Sequence, residues 1–262
     1  SHAHPDHYGL VDRVGSDVPI YAGAATARLL REAAFFTPSG AEIRLAGALE
    51  DRRPLQIGSF TVTPFLVDHS AFDAYALLIE AGGRRLFYSG DIRFHGRKAA
   101  TVERLIRSPP DRVDVVLLEG TQVGRARATQ AALSERDVEE RARMVFSDAE
   151  GLVLCFFSPL NVDRLVSLFR AVKRSGRTFV YDLYAASVAR ATGRKTIPQP
   201  GWPEVRVYLT NNERRKVIAG QQFDRVAAVR SARIYADDLT RERSRLAMLF
   251  RGSMAAELER AG

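Results

Sequence analysis

The stretch Ser1-His2-Ala3-His4-Pro5-Asp6-His7 decides how this chain is read. Three of the five histidines fall within it, and an aspartate stands between the last two. Residues two apart at the end of an extended segment point to the same side, so His2 and His4 can grip one metal ion. Asp6 and His7 follow where the chain must turn, and can face a second ion beside the first. Imidazole with carboxylate suits Zn²⁺, with Mn²⁺ or Fe as further options. A purification-tag remnant would be an uninterrupted histidine run, and an aspartate is out of place in one.

Outward from the heptapeptide, two further segments carry metal-ligand chemistry. His69 stands in Val67-Asp68-His69-Ser70, and Asp91 in Tyr88-Ser89-Gly90-Asp91. Taken singly, such a histidine is more often a core residue and a Gly-Asp pair more often a turn. Both, however, follow strand-like runs. Residues 55–67 are apolar and β-rich with a turn at Gly58, and residues 74–80 and 85–88 read as strands joined at Gly82-Gly83. Residues 19–21 suggest a short strand, and 24–36 a helix stopped by Pro38 and Gly40. The continuous apolar run 113–118 predicts a strand buried on both faces.

Past Glu119 the character changes. Residues 120–133 are polar and read as an exposed connection. Ser134-Glu135-Arg136-Asp137 resembles a capping box, opening a helix to about residue 149 with Gly151 just beyond it. Residues 152–157 predict a buried strand, 162–174 an amphipathic helix closed by Gly176, and 178–183 a strand. That is a parallel, right-handed β-α-β unit. Residues 205–209, 232–235 and 246–250 add further strands. The expected division is a metal-binding domain over 1–135 and an α/β domain over 136–262, the latter without a histidine.

Composition narrows the class. The 262 residues are 46% hydrophobic and 27% charged, which excludes disorder as a description of the whole chain. No stretch reaches the ~20 apolar residues that span a bilayer. A single cysteine, Cys155, excludes an internal disulfide framework and fits a reducing, cytoplasmic setting. The formal charge of +8 is mostly arginine and suits a polyanionic partner, although an arginine-rich solvated surface accounts for it equally well.

The heptapeptide resembles the signature of the metallo-β-lactamase superfamily. The segments around His69 and Asp91 resemble its third and fourth metal motifs, in order. The resemblance implies an αββα sandwich holding two Zn²⁺. His2, His4 and His69 would hold the first, Asp6 and His7 the second, and Asp91 would bridge both. Such a pair implies hydrolysis by a metal-bound hydroxide, with Asp6 and Asp91 in catalytic positions, but does not choose the substrate.

The continuation His69-Ser70-Ala71-Phe72-Asp73 resembles the His-Ser-x-x-Asp pattern of ribonuclease J and its relatives. The run Val115 to Thr121 resembles the strand that opens the β-CASP nuclease insertion, which gives Glu119 the role of orienting a histidine near the leaving group. Residues 157–164 and Tyr181-Asp182-Leu183-Tyr184 resemble that insertion's first β-α-β, so a β-CASP-like parallel sheet is expected after the sandwich. Members cut RNA or DNA, and RNA is the favoured partner here. Candidate substrate contacts are Ser70, the cations Arg93, Arg97 and Lys98 beside Asp91, and Ser158 and Asn161. The last two equally suit capping of the helix that follows. His95 is assigned no metal.

The resemblance further implies sandwich strands before His2, and a general-acid histidine and a last metal ligand after residue 262. A piece with open sheet edges and incomplete activity is therefore expected. Competing readings are a superfamily hydrolase of a lactone, thioester or β-lactam, and a non-enzymatic nucleic-acid scaffold. The long segment after Glu119 and the basic charge favour the nuclease. No membrane partner is expected, and self-association is left open.

Overall fold

The computed structural model describes residues 1–38, 40–121 and 132–260. It divides into two compact units. One comprises Ser1–Leu30 with Ala41–Glu135, the other Arg31–Gly40 with Arg136–Gly262.

The first unit is built from α1 (Pro5–Tyr8), β1 (Ile20–Gly23), α2 (Ala24–Phe36, whose second half counts with the other unit), β2 (Leu45–Leu49), β3 (Leu55–Ile57), β4 (Phe60–Leu66), β5 (Tyr75–Ala81), β6 (Arg84–Tyr88), α3 (Ala99–Arg107) and β7 (Val115–Leu117). Its main sheet runs β3-β4-β5-β6-β7, antiparallel up to β6 and parallel between β6 and β7. The β5–β6 hairpin turns on Gly82 and Gly83, both left-handed (φ 55° and 74°), as a two-residue turn of the strands' own twist requires. Phe65, Val67, Ala74, Ala76 and Leu78 pack beneath Val102 and Leu105 of α3. Each large apolar side chain so buried contributes about 1.5–3 kcal/mol. A parallel pair, β1–β2, forms a second small sheet. Strand β2 was not legible in the sequence, because Ala46-Gly47-Ala48 carries neither branching nor alternation.

The second unit is a parallel α/β sheet. It contains α4 (Glu135–Asp148), β8 (Val153–Phe156), α5 (Val162–Arg174), β9 (Thr178–Asp182), α6 (Leu183–Ala191), β10 (Val205–Tyr208), α7 (Asn211–Ala219), α8 (Phe223–Ala227), β11 (Arg233–Ile234), α9 (Ala236–Arg241), β12 (Leu246–Phe250) and α10 (Ala255–Arg260). The strand order is β11-β10-β9-β12-β8, every pair parallel. β9 and β12 lie inside the sheet, and Phe179, Val180, Tyr181, Ala247, Met248 and Leu249 are fully buried, as strands covered on both faces must be. The buried Arg177 guanidinium donates to the carbonyls of Phe146, Gly151, Leu246 and Ala149, so one charged side chain ties the end of α4 to the entry of β12.

Two expectations are corrected. The runs at 113–118 and 152–157 are strands, but not buried on both faces. Among the described residues β7 and β8 are the edges of their sheets, with Val116 57% and Phe156 79% exposed. Apolar continuity shows that a strand has no polar face; it does not say which neighbours flank it. The expected connection at 120–133 falls largely outside the described residues.

Candidate metal centre

Local structure brings the heptapeptide to the sheet. The Tyr75 amide at the start of β5 donates to the Ser1 carbonyl (3.3 Å), and Ala3 is buried against Leu30, Ala41 and Ile43. Pro5 occupies the first position of α1, where its missing N–H costs nothing and its fixed φ suits the helix. This turn swings Asp6 and His7 round to the side of His2.

Asp91 arrives by a different device. β6 ends at Tyr88, and Gly90 takes a left-handed conformation (φ 54°) with the Tyr75 carbonyl 3.1 Å and Ser1 Cβ 3.3 Å from where a Cβ would be. Only glycine passes comfortably there. The buried Ser89 hydroxyl donates to the Gly90 carbonyl (2.7 Å) and accepts from the Glu119 amide (2.9 Å).

The side chains converge. His2 Nε2 and His69 Nε2 lie 3.0 and 3.1 Å from His4 Nδ1. Asp91 Oδ2 lies 3.7 Å from His2 Nε2 and 3.8 Å from His69 Nε2, and its Oδ1 lies 3.2 Å from His7 Nε2. Asp6 Oδ2 is 3.6 Å from the same His7 nitrogen. Two groups result, His2–His4–His69–Asp91 and Asp6–His7–Asp91, each with its donor atoms within 4.8 Å of one another and sharing Asp91.

These residues fit a divalent ion. Ligand atoms of a tetrahedral zinc site sit about 3.3 Å apart, close to the spacings here. Burial, followed by His69, His7 and His4, pushes the His2 imidazole down to about 2; burial and then His4 bring His69 down to about 4; burial also lowers His4. Neutral imidazoles turn their lone pairs toward one point, which is the form that binds metal. Ser1 Oγ lies 3.0 Å from His2 Nδ1 and 3.2 Å from His7 Nδ1, so both rings are held by the nitrogen that faces away from the cluster.

The second layer departs from the sequence reading. Lys98, expected to meet phosphate, faces the protein: its ammonium donates to the carbonyls of His69 (3.1 Å), Ala71 (2.8 Å) and Phe72 (3.0 Å) and thereby fixes the His69 loop. Arg93 is likewise turned inward, toward Asp68 (3.5 Å) and Glu135 (3.9 Å). Arg97 stays in this loop, half-buried. Ser70 Oγ lies 3.5 Å from His4 Nε2. Glu119 Oε2 accepts from the Ile92 amide (2.7 Å), so it braces the segment that carries Asp91. His95 lies outside both metal groups, and its carbonyl accepts from Glu135.

Sequence reasoning quoted Asp73 as the acid of the His-Ser-x-x-Asp pattern but gave neither it nor Asp68 a role. Asp68 is fully buried, and its carboxylate accepts from the Gly96 amide (2.6 Å) while its carbonyl accepts from the Arg93 amide (2.8 Å). It therefore joins the His69 loop to the loop after Asp91. Asp73 Oδ2 accepts from the Thr26 amide in the first turn of α2 (2.9 Å), and a Cβ on Gly23 would fall 2.0 Å from that oxygen. For Asp68 the available signal was position, directly before His69.

Ser158 and Asn161 belong to the second unit. Asn161 Oδ1 accepts from the Arg164 amide (3.1 Å) and caps α5. Ser158 lies after β8 at the rim of a cavity.

Comparison with known proteins agrees with the geometry. A family profile described as a beta-lactamase superfamily domain matches residues 1–156. Ribonuclease J of Sinorhizobium meliloti is 28% identical over 183 residues, covering 68% of this chain and 32% of that protein. Ribonuclease J of Mycobacterium tuberculosis is 27% identical over 205 residues, covering 71% and 35%. The chain thus spans about a third of the length of the curated relatives it matches. A crystal structure of a protein of unknown function from Enterococcus faecalis superposes with a TM-score of 0.71 at 19% identity, over 97% of this chain and 58% of that one, and so shares its fold. With a mixed sheet carrying clustered histidines and a parallel sheet after it, the chain belongs to the metallo-β-lactamase superfamily, a fold that implies use of a divalent metal, and it is similar to ribonuclease J.

Proposed function

We propose that this chain carries the active centre of a two-zinc nuclease that hydrolyses RNA phosphodiesters in the cytoplasm. The observation that carries the reading is the convergence of six metal-ligating side chains, from three distant segments, into two groups that share Asp91. The similarity to ribonuclease J and the excess of arginine over acid support a nucleic-acid substrate.

His2, His4 and His69 would hold one ion, Asp6 and His7 the other, and Asp91 both. The pair, when bound, supplies Lewis acidity that activates water and offsets charge gathering on a phosphate. The protein's own groups position and screen. Ser1 holds the rings of His2 and His7. Lys98 and Asp68 hold the loop that presents His69. Glu119 steadies the segment after Asp91. Asp6, with its side chain 73% exposed, faces solvent where substrate arrives. Arg97 and Ser70 are the nearby groups that would meet phosphate oxygens.

Cleavage of a 5′-labelled RNA by the intact gene product tests the reading. Asp91→Ala removes the shared ligand and is expected to abolish turnover; more than a tenth of wild-type rate would remove Asp91 from this role. A second reading rests on a cleft of about 580 Å³ beside Asp6 and His7, walled by Tyr8, Val11, Ile20 and Tyr21, which suits a small apolar substrate. Zinc-dependent turnover of a lactone, thioester or β-lactam, with RNA left intact, would favour it.

A further inference from the structure

The loop that carries His69 lies between β4 and β5 and has no ladder of its own. Its base is closed by the Val67 amide, which donates to the Ala74 carbonyl (3.0 Å). Lys98 fastens it through three carbonyls. A second fastening stands at its far end, in the buried carboxylate of Asp73.

Asp73 reaches α2. Its Oδ2 accepts from the Thr26 amide (2.9 Å), and the Thr26 hydroxyl donates to the Asp73 carbonyl (3.0 Å). Thr26 is the third residue of α2, so its amide is one of the donors that a helix leaves unpaired in its first turn. Such a donor is ordinarily met by the side chain of the residue just before the helix. Here that residue is Gly23, which has no side chain to offer. A Cβ on Gly23 would fall 2.0 Å from Asp73 Oδ2 and 2.4 Å from its Cγ, so the glycine makes room for a carboxylate from another segment. Negative charge at this end also suits the helix dipole. The cap of α2 is thus supplied from outside the helix, and such a cap is also a tether.

The tether joins two ligand-bearing segments. α2 is the surface on which the heptapeptide rests, since Ala3, between His2 and His4, is buried against Leu30. Asp73 fastens the His69 loop to the same helix, four residues before Leu30. Two residues beyond Asp73, the Tyr75 amide donates to the Ser1 carbonyl (3.3 Å). His69 Nε2 and His2 Nε2 stand 3.1 and 3.0 Å from His4 Nδ1. A metal site tolerates only about 0.2 Å in its ligand distances, so the register between these segments decides how well three imidazoles share one ion.

We infer that Asp73 is a positioning residue of the metal centre: its carboxylate, capping α2 from outside, sets the register between His69 and the His2–His4 pair. The inference rests on the reading that these three histidines share an ion.

Cobalt(II) titration of the metal-free intact chain tests it, because the visible absorption of bound cobalt reports ligand geometry as well as affinity. Asp73→Ala is expected to lower affinity for the first ion about tenfold or more, as for other outer partners of metal ligands, and to change the visible spectrum. Asp73→Asn keeps an oxygen for the Thr26 amide and is expected to stay close to wild type in both. Asp73→Ala combined with Gly23→Ser returns a cap to α2 but no tether. Its urea midpoint is expected to recover, while spectrum and affinity do not. Gly23→Ala leaves every ligand and acid in place but drives the carboxylate off the Thr26 amide. It is expected to shift the spectrum as Asp73→Ala does, and it serves as the test if Asp73→Ala does not fold. Circular dichroism confirms folding. A wild-type spectrum and affinity in folded Asp73→Ala or Gly23→Ala overturn the inference alone. So does recovery of the metal site by the Gly23→Ser cap, which would make Asp73 a helix cap and nothing more. A folded wild-type chain that takes up no cobalt overturns the metal-centre reading itself, and the inference with it.

Discussion

Lys98 illustrates how far a residue's chemistry is set by what faces it. The sequence places three cations directly after Asp91, and beside the metal centre of a proposed nuclease their charge suggests substrate. Instead the Lys98 ammonium faces three carbonyls of the His69 loop. Hydrogen bonds from a charged donor contribute about 1.5–3 kcal/mol, and carbonyls left unpaired add to the loss. Lys98→Met is therefore expected to destabilise the first unit by about 2 kcal/mol. Zinc affinity should fall roughly tenfold as His69 loses its fixed position, as for other outer-layer partners of metal ligands. Competition with a chromophoric chelator reads this, and unchanged affinity would make Lys98 irrelevant to the site. The ligands were legible because imidazole and carboxylate at such spacings have few other uses. Asp68 and Lys98 were not, because tethering depends on which backbone groups a fold brings near.

Among the elements, helix 162–174 and the hairpin at Gly82-Gly83 stand where amphipathic period and turn chemistry place them, since both signals are local. β7 and β8 were misjudged because burial of a strand depends on partners that its own residues do not encode. The β10–α7 connection carries a consequence of burial. Thr210 and Glu213 form a capping box at the start of α7, and Glu213 is 2% exposed. Burial first, and the neighbouring Asp182 next, raise its carboxyl from 4.5 to about 8. In the unfolded chain it ionises near 4.5, whereas in the folded chain it keeps its proton until about 8. The folded state thus holds more protons across that window, so stability falls as pH rises through it. Urea midpoints measured from pH 5 to 8 should decline for the wild type. The decline should flatten in Glu213→Gln, whatever that variant's absolute stability; an equal slope in both would locate the effect elsewhere.

For the molecule as a whole, charge is the property that acts at a distance. With 39 basic against 31 acidic residues, RNA affinity should fall linearly on a log–log plot against salt, with a slope of about −0.7 for each phosphate contacted on a single strand. A flat response would point to the small-molecule reading. No helix among the described residues is long and apolar enough to cross a membrane. The two units differ as their sequences do: one collects all the histidines, the other builds a parallel sheet without any. The central claim is that the heptapeptide, His69 and Asp91 hold a pair of ions together. Zinc titration of the metal-free, folded chain tests it most directly. The expected result is two bound equivalents, both weakened by Asp91→Ala and only the first strongly weakened by His4→Ala. A folded chain that takes up no zinc, or takes it up equally well without Asp91, would contradict it.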